Sequence, residues 1–101
     1  MIDQRTLLGT PATGEVAGSV TSGALPSVAC KLALLKARST NAGSVYVGVG
    51  TVTKADGTTD VTTGYELAAG ESTPWIPVDN LSRLARICDN AGDALTYLVI
   101  L

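Results

Sequence analysis

The end of the chain constrains the fold more than any other stretch. Two apolar runs, Leu84–Cys88 and Ala94–Leu101, flank the turn-forming sequence Asp-Asn-Ala-Gly-Asp at 89–93. This arrangement predicts a β-hairpin with a five-residue loop. Both faces of the second run are apolar: Leu95, Tyr97, Val99 and Leu101 alternate with Leu98 and Ile100. A strand that is apolar on both faces is normally covered on both, by the rest of a sandwich or by another subunit.

The composition favours a small domain that associates with a partner. A chain of 101 residues corresponds to one domain, at most with an additional arm. Hydrophobic residues make up 46% and charged residues only 16%, which is low for a soluble domain. Apolar surface covered by a partner would explain this balance, and homo-oligomerisation is the simplest way to cover it.

The rest of the chain predicts further short strands: Val28–Ala37, Val45–Thr53, Gly64–Leu67 and Trp75–Val78. Residues 28–37 have helix propensity as well, but the run is short and its apolar side chains alternate. Pro74 and Pro77 place the fourth strand at a sheet edge or corner, because proline cannot donate to a ladder. One helical turn at Asp79–Arg83 is expected before the strand at 84–88; a longer helix is the alternative. The pattern predicts an all-β fold, an antiparallel β-sandwich or jelly roll.

Residues 1–24 differ from the sandwich domain predicted over 25–101. Glycines at 9, 14, 18 and 23 and a proline at 11 interrupt any periodicity. The segment is interpreted as an extended N-terminal arm that allows one or two short strands, with a disordered tail as the alternative. Its apolar anchors are Leu7, Leu8, Val16 and Val20.

The residue types argue against an enzyme and against a cofactor. Histidine is absent, so neither a Ser-His-Asp nor a Cys-His arrangement can form. Cys30 and Cys88 lie far apart without histidine partners, which excludes zinc; both are expected to be free, with a disulfide as the alternative. The seven basic residues are scattered, so no nucleic-acid partner is expected. A signal peptide and an apolar run of about 18 residues are both missing, so no membrane association is expected.

Three segments carry a resemblance to small structural proteins of tailed bacteriophages: Asn41–Gly48, Gly64–Ser72 and Val78–Leu81. The chain is most similar in size and character to capsid decoration, or cement, proteins of jelly-roll type. The resemblance covers about residues 28–101 and lies in general style, so it assigns no residue a role. It implies a homo-trimer bound to the major capsid protein on the capsid exterior, assembled in the host cytoplasm. It also implies that an N-terminal arm could strap neighbouring subunits.

The leading hypothesis is therefore a structural virion protein that stabilises a capsid by bridging major capsid protein subunits. A tail or head-fibre module that contacts a host-surface glycan through exposed Tyr or Trp is the alternative. A cupin-like enzyme or ligand binder is a third hypothesis, which the absence of histidine disfavours. The residues expected at a subunit or capsid interface are Leu7, Leu8, Val16, Trp75, Leu98 and Ile100.

Overall fold

A computed structural model describes residues 9–53 and 63–101, which form two four-stranded antiparallel sheets around a shared core. The strands are β1 (Pro11–Ala17), β2 (Gly23–Ala24), β3 (Leu32–Ala37), β4 (Val45–Val49), β5 (Tyr65–Leu67), β6 (Ile76–Pro77), β7 (Leu84–Cys88) and β8 (Ala94–Ile100). A single 3-10 turn at Leu81–Arg83 interrupts the described strands. Sheet A has the order β1-β8-β3-β6, and sheet B has the order β2-β7-β4-β5.

The strand order is that of a jelly roll. The first strand pairs with the last, β2 pairs with β7, β3 with β6 and β4 with β5, each time antiparallel. The chain therefore folds as one long double ribbon that wraps around the core, and most consecutive strands lie in opposite sheets. The all-β sandwich predicted from the sequence is confirmed.

The predicted hairpin at the end of the chain is wrong. Its two runs are strands, as expected, but β7 pairs with β2 and β4 whereas β8 pairs with β1 and β3. Residues 89–93 thus cross from one sheet to the other. Turn-forming residues specify that the chain reverses, and this holds equally for a hairpin and for an arch between two sheets. The two strands meet across the core instead, where Cys88 and Leu95 are both fully buried.

A buried carboxylate fixes this arch. The Asp93 side chain is 2% exposed and accepts hydrogen bonds from the Ala42 amide at 2.9 Å and the Gly43 amide at 3.5 Å. The Asn90 side-chain amide donates to the other carboxylate oxygen of Asp93 at 3.3 Å. Burial alone would raise the pKa of the Asp93 carboxyl, but these hydrogen bonds stabilise the charged form and lower the pKa below its usual value. The arch is thereby tied to the turn that precedes β4.

Most other strands lie where the sequence predicts them. Residues 28–37 are not helical; the regular strand begins at Leu32, and Ala29 forms only an isolated bridge with Asn80. The short strand β6 lies at the edge of sheet A, as its prolines predicted. The 3-10 turn before β7 is also confirmed, and the Asn80 side chain caps it by accepting from the Ser82 amide at 2.9 Å.

Part of the predicted N-terminal arm belongs to the sandwich. All seven residues of β1 pair with β8, and β2 pairs with β7. Within β1, a side chain at Gly14 would collide with the Tyr97 ring, so the glycine leaves room for the tyrosine that lies opposite. Residues 9–24 are therefore continuous with the domain, with no structural boundary at residue 24. Residues 1–8, the rest of the predicted arm, lie outside the described residues.

The core contains both cysteines, Cys30 and Cys88, and no disulfide joins them. The Cys30 thiol donates to the Val78 carbonyl, with the sulfur 3.3 Å from the oxygen. Burial, and secondarily the nearby Asp79 carboxylate, raises the pKa of Cys30, which keeps it in the unreactive protonated form.

Replacing Asp93 with asparagine should change how stability depends on pH. The folded pKa of Asp93 is depressed, so its stabilisation is complete above the unfolded pKa of about 4 and is lost as pH falls toward the lower folded value. Asp93→Asn should cost about 2 kcal/mol at pH 7, since a buried charge-assisted acceptor is replaced by a neutral one. Urea unfolding at pH 7, 5 and 3 should show a smaller loss of stability below pH 5 for the variant than for the wild type. An equal loss of unfolding free energy below pH 5 in both proteins would contradict a depressed pKa of Asp93 in the folded state.

Candidate interaction surface

The outer faces of the two sheets are covered to different extents. On sheet B, Val52 from the loop after β4 is buried against Tyr46 and Ala85 and covers the outer face. Gly48 and Gly64 permit this close approach, because an added Cβ would lie 3.2 Å and 2.5 Å from the Val52 side chain. Sheet B therefore covers part of its own outer surface.

The outer face of sheet A is open and regularly arranged. Strand β8 lies between β1 and β3, and its inward side chains, such as Leu95 and Val99, are fully buried. The alternate, outward side chains form three rows across the strands β1, β8 and β3. The rows are Pro11–Ile100–Leu32, Thr13–Leu98–Leu34 and Glu15–Thr96–Lys36.

These rows divide the surface into an apolar part and a charged end. We call Leu32, Leu34, Leu98 and Ile100 the apolar face; all four are partly exposed. A shallow depression of about 500 Å³ lies over its Leu34 and Leu98 side and extends to the charged row. In that row, Glu15 forms an ion pair of 3.0 Å with Arg38, and both side chains are well exposed. Partly exposed leucines beside a charged rim are typical of a surface that packs against another protein.

The predicted interface residues have different positions in the structure. Leu98 and Ile100 lie at the centre of the apolar face. Val16 lies in the core opposite Leu95, so its side chain is not part of this surface. Trp75 directly precedes the edge strand β6 and is 44% exposed. Leu7 and Leu8 lie outside the described residues.

Sequence reasoning missed half of the apolar face. Leu32 and Leu34 complete it from β3, directly opposite Ile100 and Leu98. The alternation within residues 28–37 showed which side chains share a face. Only the pairing of β3 with β8 shows that Leu32 and Leu34 adjoin the apolar side chains of the last strand.

A second, smaller depression lies between β5 and β6. It has a volume of about 220 Å³ and is almost wholly apolar. Its lining residues are Val47, Gly48, Tyr65, Thr73, Pro74, Ile76 and Leu84. Tyr65 is 60% exposed there, so one face of the depression carries an accessible aromatic ring.

Within residues 9–53 and 63–101, no group of three or more His, Cys, Asp or Glu side chains is placed to hold a metal ion. In the same part of the chain, no helix is both long and apolar enough to cross a membrane.

Comparison with known proteins gives little further information. No protein-family model matches the chain, and no curated protein matches it. A solved structure of the disulfide-linked pili that form Bacillus endospore appendages is 13% identical, with 93% of this chain and 88% of that chain covered. Its TM-score is 0.44, and at this level of similarity no functional conclusion follows.

Two leucines of β8 should distinguish the core from the apolar face. Leu95→Ala should lower the free energy of unfolding by about 3 kcal/mol, because it leaves a cavity between the sheets. Leu98→Ala should cost about 1 kcal/mol, since Leu98 is partly exposed on the outer face. Denaturant unfolding of both variants measures the difference. Equal costs would mean that the outer face is covered within the subunit.

Proposed function

We propose that this chain is a structural virion protein that decorates and stabilises a bacteriophage capsid by packing the apolar face against the major capsid protein. The observation that carries the proposal is the contrast between the two sheets. Val52 covers part of the outer face of sheet B, whereas sheet A leaves four partly exposed aliphatic side chains in register. The resemblance to capsid decoration proteins supplies the partner.

The surface fits a docking role better than a catalytic one. Its central row consists of Thr13, Leu98 and Leu34, whose side chains supply dispersion contacts and apolar area but no acid, base or nucleophile of unusual reactivity. The charged row with Glu15 and Lys36 would lie at the rim, where charges contribute to orientation more than to affinity. A trimer, the assembly that the resemblance implies, would place three such faces side by side on the capsid and strengthen binding by avidity.

A lysine in the apolar face should abolish this docking. We expect the wild-type protein to co-sediment with capsids that lack it and to raise their melting temperature. Leu98→Lys should weaken binding at least about tenfold, because the interface would bury an unpaired charge. Val49→Lys is the matched control: Val49 is 78% exposed on β4 of sheet B, so the same charge there should leave binding unchanged. A wild-type protein that does not co-sediment would refute the proposal.

A glycan-binding fibre module is the second candidate function. The observation that favours it is the exposure of two aromatic residues, Tyr65 and Trp75. Tyr65 lines the second depression, and Trp75 directly precedes β6, the strand at the edge of sheet A opposite β1. Exposed aromatic rings offer flat apolar surfaces with polar edges, on which sugar rings can stack.

A glycan array would test this second function. Binding of a glycan by the wild type, lost in Trp75→Ala and retained in Val49→Ala, would favour it over capsid decoration. Since Trp75 is 44% exposed, its replacement should cost little stability, and thermal melting checks that the variant is folded. Absence of any glycan signal would eliminate this candidate.

A further inference from the structure

Among residues 9–53 and 63–101, strand β1 pairs on one side only, with β8, and so forms an edge of the sandwich. It has seven residues, whereas the other described edge strands, β2, β5 and β6, have two or three. Long edges of this kind are templates for pairing with another strand, and proteins normally shorten, cover or charge them. On β1 the only charged residue is Glu15.

The register shows which backbone groups face outward. The Leu101 amide donates to the Thr10 carbonyl at 2.9 Å, so Thr10 and Leu101 are a hydrogen-bonded pair. Because such pairs alternate in an antiparallel ladder, Ala12, Gly14 and Val16 also exchange bonds with β8. The groups of Pro11, Thr13, Glu15 and Ala17 therefore point to the free edge.

Two of these outward groups do not need a new partner. Pro11 has no N–H group to donate. The Ala17 carbonyl already accepts from the Arg86 guanidinium, at 3.0 Å from Nη2 and 3.2 Å from Nε. The backbone groups at the free edge that still need a hydrogen-bond partner are the Pro11 carbonyl, the Ala17 amide, and the amide and carbonyl of both Thr13 and Glu15.

We propose that β1 pairs antiparallel with β1 of a second copy of this chain, about a two-fold axis at Gly14. This register places Thr13 opposite Glu15 of the second copy, and both residues exchange their amide and carbonyl bonds. It places Pro11 opposite Ala17 of the second copy. At this position Pro11 has no N–H group, and the Ala17 carbonyl opposite it needs no donor because it already accepts from Arg86. The Ala17 amide of the second copy donates to the Pro11 carbonyl.

Self-complementarity is what points to a second copy as the occupant. Pro11, which lacks a donor, and Ala17, whose carbonyl is already occupied, lie at equal distances from Gly14 on either side. When β1 pairs with itself about Gly14, these two residues face each other, so no backbone group is left unsatisfied. Gly14 itself lies on the axis between bonded pairs, where antiparallel backbones approach most closely. A strand of a different protein would fit equally well only if it also lacked a donor and had an occupied acceptor at the matching positions.

The side chains permit this arrangement. Glu15 of one copy lies diagonal to Glu15 of the other on the same face, and each carboxylate is already paired with its own Arg38 at 3.0 Å. The axis runs perpendicular to sheet A, so the two apolar faces join on one side of a sheet that is twice as wide. The contact does not depend on the capsid role. It could pair single chains or link two of the proposed trimers.

The mass in solution tests the pairing. Sedimentation equilibrium should show an even number of 10.3 kDa chains for the wild type. Thr13→Pro should halve that mass, because it removes an outward N–H and places a ring in the contact without breaking a bond to β8. Thr13→Val keeps the amide and should leave the mass unchanged. A single-chain wild type, or a mass that Thr13→Pro does not lower, overturns the proposal.

Amide exchange of the wild type is a second test that needs no variant. At concentrations where the pair dominates, the amides of Thr13, Glu15 and Ala17 should exchange at least about tenfold more slowly than after dilution. The amides of Ala12, Gly14 and Val16 are bonded to β8 in either state and should not respond. Exchange rates of all six amides that are independent of concentration would overturn the proposal, whatever the outcome of the capsid-binding experiment.

Discussion

The position of β8 between β1 and β3 is the interaction on which the rest of the structure depends. Its ladder joins the beginning and the end of the described chain and forms the centre of sheet A. Inward, Leu95 and Val99 fill the core; outward, Leu98 and Ile100 form the middle of the apolar face. Because side chains alternate along a strand, a shift of one residue would exchange these two sets, so a single register determines both the core and the exposed surface.

Local signals in the sequence were sufficient for the strands but not for all of their partners. Prolines 74 and 77 correctly indicated an edge, since the missing amide is a property of the residue itself. The arch at 89–93 could not be distinguished from a hairpin, because the deciding contacts come from distant residues. Asp93 accepts from the Ala42 and Gly43 amides, and the Asn41 side chain exchanges two hydrogen bonds of 2.8 Å with the Ala94 backbone.

The sequence likewise predicted part of the candidate surface but not all of it. The two apolar faces of the last run indicated Leu98 and Ile100, whose position requires only a period of two. Val16 was misleading because β1 has too few apolar residues to be recognised as a strand, and its order comes from β8 and from Tyr97 over Gly14. Leu32 and Leu34 became part of the surface only through the pairing of β3 with β8. Tertiary contact, rather than propensity, decides such cases.

The pairing of β1 with β8 also sets a sequence of events during translation. Between Ala17 and Ala94 the ribosome must add 77 residues, which takes about 4–15 s at ordinary elongation rates. From Ala37 onward β1 and β3 have both been made, while β8, the strand that separates them in sheet A, does not yet exist. Until β8 is made, β1 and β3 therefore lack the strand with which both pair. We expect a chain that stalls before residue 94 to be prone to aggregation, because unpaired strand edges with apolar side chains pair with other chains.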